Sequence, residues 1–418
     1  MTQRIAIVGA GIAGMTAAHL LSRAHDVVVY EANDYIGGHS HTVKVGEAGL
    51  EQAVDTGFIV YNTRTYPSFC RLLDQLGVAT QESDMSFSFR DDAADLEYGV
   101  PELGKLLAQK RNLMRPDFWR MIRDTLRFYR QAPRLLDSVQ SEENLDLRTY
   151  LKREGYSQAF MDWHLFPMAE SIWSGARRSM HRFPAAAFVR FFHNHGLLTL
   201  TDRPVWRTVT GGAVRYVERI TAPYLDRIRL KSPVTGIRRE PGRVWIKTPV
   251  TQFEAYDAVV LACHADQALV MLEAPTELER EILSAFPYAE NDVVLHGDTG
   301  IMPHRRAAWA SWNYHQQDDP ERPAALTYDM NRLQSLPESL PLLVTLNRTQ
   351  DLNPEFIHRR FRYAHPQYDT RAMRQQRRQN ELNGQNNTYF CGAYWGYGFH
   401  EDGVNSALAV ARRFGQEL

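Results

Sequence analysis

Residues 9–14 read Gly-Ala-Gly-Ile-Ala-Gly, so that Gly9, Gly11 and Gly14 take the three glycine positions of a dinucleotide fingerprint. Gly9 allows a tight turn, Gly11 lets backbone approach a pyrophosphate, and Gly14 lets a helix pack on a strand. Ala10, Ile12 and Ala13 stand between them, where N–H groups at a helix start would meet phosphate oxygens. The pattern also asks for an acid about 20 residues further on, to accept hydrogen bonds from ribose hydroxyls. Glu31 stands there, followed by Ala32. Gly37-Gly38 offers a second close backbone approach, with His39, Ser40 and Thr42 as donors beside it. A glycine run alone can also be a small-residue contact between helix and strand, and it does not separate NAD from FAD.

The elements that must hold these residues are legible in the hydrophobic pattern. Residues 4–8 and 27–31 read as strands and 15–23 as a helix, which sets the glycine run at a strand-to-helix turn. A further strand is expected over 52–61. Residues 101–153 are helical and charged, and 155–205 are rich in aromatic residues and histidine. A strand-rich stretch covers 228–262, with a hairpin at Glu240-Pro241-Gly242-Arg243. Residues 257–263 (DAVVLAC) read as a buried strand, with further strands at 292–298 and 342–346. The chain closes with a strand at 389–391, a glycine-rich loop and a helix over 404–414.

The 418 residues carry 48 basic and 49 acidic side chains, a formal charge of −1. That length implies more than one folding unit, and 44% hydrophobic content argues against wholesale disorder. The balanced charge gives no reason to expect a nucleic-acid partner. Three scattered cysteines, Cys70, Cys263 and Cys391, exclude a disulfide scaffold and fit a reducing cytoplasm. The uncharged run from Ile5 to Leu21 is too short and glycine-rich for a membrane span. Two His-x-His pairs, His39/His41 and His193/His195, would share a face on strands. Neither has Cys, Asp or Glu at ligand spacing, so no metal is expected. No second GxGxxG occurs, which disfavours a reductase with separate FAD and NAD(P)H units.

Taken together, GAGIAG, Glu31 and GGHSHT at 37–42 resemble the FAD-dependent amine oxidase and phytoene desaturase superfamily. Many members carry Gly-Gly-Arg with the Arg on phosphate, and His39 stands in that place here. Asp55-Thr56-Gly57-Phe58 resembles the family segment whose backbone runs along the flavin, so Thr56, Gly57 and Phe58 are expected at the cofactor. Val234 matches a position whose backbone holds adenine. Gly392 and Glu401-Asp402-Gly403-Val404 resemble the segment at the pyrophosphate and flavin pyrimidine. Gly403 and Val404 are expected to open the last helix, its N–H groups facing negative charge on a reduced flavin. The resemblance implies FAD as cofactor and an α/β fold, a Rossmann-like FAD domain interleaved with an α+β substrate domain. The expected pieces are 1–85, 205–275 and 385–418 for FAD, with 86–204 and 276–384 for substrate.

In resembling amine oxidases an aromatic side chain of the loop before this last segment faces the flavin. His400 falls closest to that position, with Tyr397 nearby, and His296 lies near a strand where some members place a lysine. These three are the catalytic candidates, each with a structural, hydrogen-bonded role as the competing reading. GGHSHT and GAYWGYGFHEDG look most like a bacterial branch of predicted NAD/FAD-binding oxidoreductases, which resembles flavin desaturases of modified acyl lipids. The expected reaction is therefore hydride removal from a C–H bond of an apolar acyl-type substrate, by desaturation or oxidation. The alternatives are an amine oxidase forming imine and hydrogen peroxide, and a non-catalytic lipid-binding protein, since Rab escort-type relatives hold prenyl chains on this fold. Residues 101–134 carry nine basic and three acidic side chains. Within them Arg120, Arg123, Arg127, Arg130 and Arg134 recur at helical spacing. A solvated face explains them, as does peripheral contact with an anionic membrane on its inner face.

Overall fold

The structure is a computed structural model that describes residues 2–47, 49–137, 145–317, 319 and 322–418. Five parallel strands form one sheet, in the order Ile228–Arg229, Asp26–Tyr30, Arg4–Val8, Ala258–Leu261 and Thr388–Phe390. Its central strands are continuous apolar runs because both faces are covered. Ile5, Ile7, Val27, Val29, Ala258 and Val260 pack with Ala13, Ala17 and Leu21 on one face. Ala6, Val8, Val28, Tyr30, Val259 and Leu261 join a larger core on the other. This Rossmann-like sheet makes the fold mixed α/β.

The opening helix Ile12–Leu21 begins directly after Gly11, earlier than the apolar spacing alone implies. It packs against the closing helix His400–Arg413 so tightly that a Cβ on Gly403 would lie 2.7 Å from Ile12 Cγ2. That closing helix starts before the expected residue 404, and this shift alters the site below. The strand expected over 52–61 is two pieces, Gln52–Asp55 and Tyr61–Asn62. Between them, Thr56 N and Phe58 N donate to His41 O and His39 O at 2.9 and 2.8 Å. A Cβ on Gly57 would overlap His39 O, which explains a glycine in this paired but irregular segment.

A second, seven-stranded sheet runs in the order Ile357–Pro366, Tyr288–His296, Leu343–Leu346, Ala325–Asp329, Trp312–His315, Phe87–Asp91 and Leu96–Val100. Only the pairing of Trp312–His315 with Phe87–Asp91 is parallel. The hairpin at 240–243 is present, with Glu240 opposite Arg243. In the charged stretch, the helix Pro116–Gln131 buries Phe118, Met121 and Phe128. It gives way to a 3₁₀ turn, Ala132–Leu136, around Pro133, so Arg134 leaves the expected helical face. Residues 138–144 of that stretch lie outside the described residues.

A Cβ on Gly14 would overlap Gly9 O, whereas one on Gly11 would meet nothing within 4 Å. G14A is therefore expected to lose about 1–3 kcal/mol of stability through overpacking, and G11A to melt close to the parent. Calorimetry of the two variants checks this; equal melting of both would contradict the packing.

Candidate active site

The carboxyl ends of the parallel strands open into a cavity of about 1050 Å³, closed on its far side by the seven-stranded sheet. That edge is where ligands bind in open α/β sheets. Gly9 turns the chain at φ +103°, and its N–H donates to Tyr30 O at 2.8 Å. A Cβ on Gly9 would sit 2.9 Å from Ala262 O, so the strand ends can meet only without a side chain there. Gly11 faces open cavity. Gly37 N donates to Ala10 O at 2.9 Å, and a Cβ on Gly38 would lie 3.2 Å from Gly11 Cα. Two stretches of bare backbone thus lie side by side, a cradle that fits a pyrophosphate. The buried Glu31 accepts from Ala10 N at 2.8 Å and from Asn33 N at 2.9 Å, which aims its carboxylate at the cavity.

Of the residues expected at the cofactor, Gly9, Gly11, Ile12, Ala13, Glu31, Ala32, Gly37, Gly38, His39, Gly57, Phe58, Val234 and Gly392 line the cavity. Ala10, Gly14, Ser40, Thr56, Asp402, Gly403 and Val404 are not on its wall, and most support it from behind. Thr56 Oγ1 bonds His41 O at 3.0 Å and Tyr363 OH at 2.7 Å. Because the last helix starts at His400, Gly403 N–H already donates to Phe399 O at 3.1 Å. The expectation that Gly403 and Val404 open this helix is therefore corrected: its first-turn N–H groups belong to His400, Glu401 and Asp402. Asp402 lies under the preceding loop, accepting from Tyr397 N and Phe399 N, each at 3.0 Å. Burial pushes its carboxyl up to about 7.

The catalytic candidates separate. His400 and Tyr397 line the cavity; His296 does not. His296 is fully buried, its Nε2 2.8 Å from Thr345 Oγ1 and its Nδ1 accepting from Asp298 N at 3.1 Å. Both ring nitrogens are occupied, so its placement is structural. His400 stacks on Phe58 with ring centroids 3.5 Å apart, and its Nε2 lies 3.0 Å from both Ser40 Oγ and Tyr216 OH. Burial, then the nearby His39, holds its imidazole well below the usual histidine range and therefore neutral. Tyr397 stands 5.4 Å from Phe191, ring to ring.

Sequence reasoning missed His264, Tyr363, His365 and Asn291. The first three line the cavity, and Asn291 Nδ2 lies 2.9 Å from His365 Nδ1. One signal was available: Phe361, Tyr363 and His365 alternate along a strand and so share one face. His193 and His195 do not sit on a strand; they fall at the end of the helix Ala185–Asn194, one exposed and one buried. Among the described residues no group of three His, Cys, Asp or Glu side chains has the geometry to hold a metal. The arginine face is divided. Arg120 pairs with Asp117 at 2.8 Å, and Arg127 lies 4.0 Å over the Tyr156 ring.

Two bare backbone turns, the buried Glu31 and the large cavity beyond them make a site that fits a dinucleotide. The model of the flavin containing amine oxidoreductases matches residues 12–414, and the chain belongs to that family. It is an FAD-dependent oxidoreductase. A putative flavin-containing monoamine oxidase, AofH of Mycobacterium tuberculosis, is 24% identical over 345 residues, 79% of this chain and 71% of the relative. The flavin-dependent L-tryptophan oxidase RebO of Lentzea aerocolonigenes is 33% identical over 93 residues, which span 22% of this chain and only 20% of that relative. Similar folds occur in a putative protoporphyrinogen oxidase from Exiguobacterium sp. 255-15 (TM-score 0.69, 17% identity, 99% of each chain). They occur also in a CLA-producing fatty acid isomerase from P. acnes (TM-score 0.68, 17% identity, 99% of this chain and 98% of that one). A putrescine oxidase mutant with redesigned cofactor binding has the same fold (TM-score 0.72, 15% identity, 99% and 98%).

Two outcomes are expected. G11V should fold but lose its flavin, seen as missing visible absorbance with a melting temperature equal to that of the flavin-free parent. For Asp402, the folded state holds its proton to about pH 7 while the unfolded carboxyl releases it near 4. Its contribution to stability therefore falls as pH rises between those values. The melting deficit of D402N should narrow over the same window; a widening deficit would contradict the assignment.

Proposed function

We propose that this chain removes hydride from a C–H bond of an apolar, acyl-type substrate, as a desaturase or oxidase. FAD, when bound, supplies the hydride acceptor, and the protein supplies orientation, electrostatics and exclusion of water. The observation that carries the reading is the aromatic and aliphatic arm of the cavity beyond the cradle. Phe191 lies 4.8 Å from Trp173 and 5.2 Å from Phe399, ring to ring. Met168, Ile172 and Leu197 line the same arm. Such a wall covers an alkyl chain with apolar surface, and Ser171, Ser174 and His195 are its polar members. At the junction of arm and cradle, Tyr397 and the neutral His400 would orient the substrate, with Ser40 and Tyr216 fixing the imidazole. The fatty acid isomerase among the structural neighbours agrees with an acyl chain in this fold.

A second reading, an amine oxidase releasing imine and hydrogen peroxide, draws support from Glu82 and Asp84, carboxylates on the cavity wall that can pair with an ammonium group. The putative monoamine oxidase and the L-tryptophan oxidase among the relatives favour it as well. Peripheral membrane contact also belongs to the proposal. It would run through Arg120, Arg123, Arg127, Arg130 and Arg134, with the exposed Leu113, Met114 and Trp119 nearby in the chain. Among the described residues no helix is long and apolar enough to cross a membrane.

Mass spectrometry of lipids from cells with and without the active protein should reveal a changed acyl composition. Unchanged lipids together with peroxide release from an amine panel would favour the second reading. I172W, which fills the arm, is expected to reduce kcat/KM at least about tenfold for long-chain substrate, a loss of about 1.4 kcal/mol in transition-state binding. Its flavin spectrum should be unaltered.

A further inference from the structure

Three histidines from separate elements converge on the cavity wall. His39 follows the glycine turn, His264 follows the strand Ala258–Leu261, and His365 lies near the end of Ile357–Pro366. The His39 ring is 5.1 Å from His365 and 6.5 Å from His264. His39 Nε2 is buried without a hydrogen-bond partner among the described residues. His365 Nδ1 accepts from Asn291 Nδ2, which leaves its proton on Nε2. His264 stacks on Tyr288 at 4.2 Å.

The other groups facing the cluster are uncharged or otherwise engaged. Tyr363 lies 5.0 Å from His39, His400 is neutral, and burial pushes the Cys263 thiol up to about 12. The nearby carboxylates are Glu31, held by Ala10 and Asn33, and the exposed Asp266. Among the described residues neither forms an ion pair with any of the three rings. Three basic side chains thus meet in a low-dielectric wall with no acid of the chain to balance them. The rings are neutral as they stand, and the buried, unpartnered His39 Nε2 is a polar group whose missing hydrogen bond a ligand oxygen can supply.

We propose that His39, His264 and His365 form a proton-linked cradle for an anionic oxygen group, either a phosphate of FAD or the carboxylate of a substrate. Without that group, burial and the neighbouring imidazoles hold His39 and His264 down at about 4 and His365 at about 3. An anion within a few ångströms raises such a pKa by about 1–3. Binding therefore takes up protons, and affinity falls as pH rises through the window between the free and bound values. The FAD arm rests on the family assignment, and only the carboxylate arm rests on the acyl reading.

Calorimetric titration in two buffers of unlike ionisation heat counts those protons. The flavin-free full-length chain is titrated with FAD, and the FAD-loaded chain with oleate. Proton uptake in the FAD step assigns the cradle to phosphate, and uptake in the oleate step assigns it to carboxylate. The affinity of that step should weaken as pH rises from about 5 to about 7, about tenfold for a rise of about 2 above the free value of about 4. H264Q and H365Q should each reduce the uptake; if either fails to fold, the proton count and pH profile of the parent decide. No uptake in either step, or uptake unchanged in both variants, overturns the proposal. Oleate that fails to bind counts against the acyl substrate alone, and the FAD step still decides the cradle.

Discussion

The close approach of backbone to backbone at the ends of the parallel strands is the constraint on which the rest of this structure depends. Gly9 must pass beneath Ala262, Gly14 must lie against Gly9, and Gly38 must come up to Gly11. No side chain fits at Gly9 or Gly14, and the absence of one at Gly11 and Gly38 leaves that edge of the cavity open. The same closeness seats the opening helix on the closing helix, with Gly403 against Ile12. A residue far along the chain thereby packs behind the glycine turn.

From that edge, buried carboxylates hold the loops that complete the site. Glu31 is fixed by two backbone N–H donors and the Asn33 side-chain amide, and it lines the cavity. Asp402 gathers the N–H groups of Tyr397 and Phe399, and Glu401 accepts from Ser68 N and Phe69 N at 3.0 and 2.9 Å. Asp55 does the same for a third junction, accepting from Ala213 N and Gln334 Nε2 at 2.9 and 3.0 Å. In each case a carboxylate satisfies backbone or amide donors that would otherwise be buried alone, a cost of about 1–3 kcal/mol apiece. The loop bearing His400 and Tyr397 is therefore held by neighbours on both sides, which suits a wall that must orient substrate.

What could be read from sequence follows how local each feature is. The glycine run, Glu31 and Gly37-Gly38 were legible because turn, helix and strand are neighbours in the chain. Phe58 and Gly57 were legible through family likeness. The start of the last helix was misplaced because Gly403 looks like a boundary. The true boundary is set by Asp402 reaching back to Phe399 N. His264 and His365 could not be paired with His39 from sequence, since sheet register and the packing of one sheet on the other bring them together. His296 failed for the opposite reason: the sequence shows a strand histidine, but only the structure places its ring on Thr345 and Asp298 N, away from the cavity wall.

With FAD in the glycine-edged cavity, the aromatic arm would present an apolar C–H bond to the flavin. The most direct measurement is the visible spectrum of the flavin-loaded protein under anaerobic conditions as candidate substrates are added. Bleaching by an acyl lipid, with no response to amines, is the predicted result. Bleaching by an amine while acyl lipids leave the spectrum unchanged would contradict it.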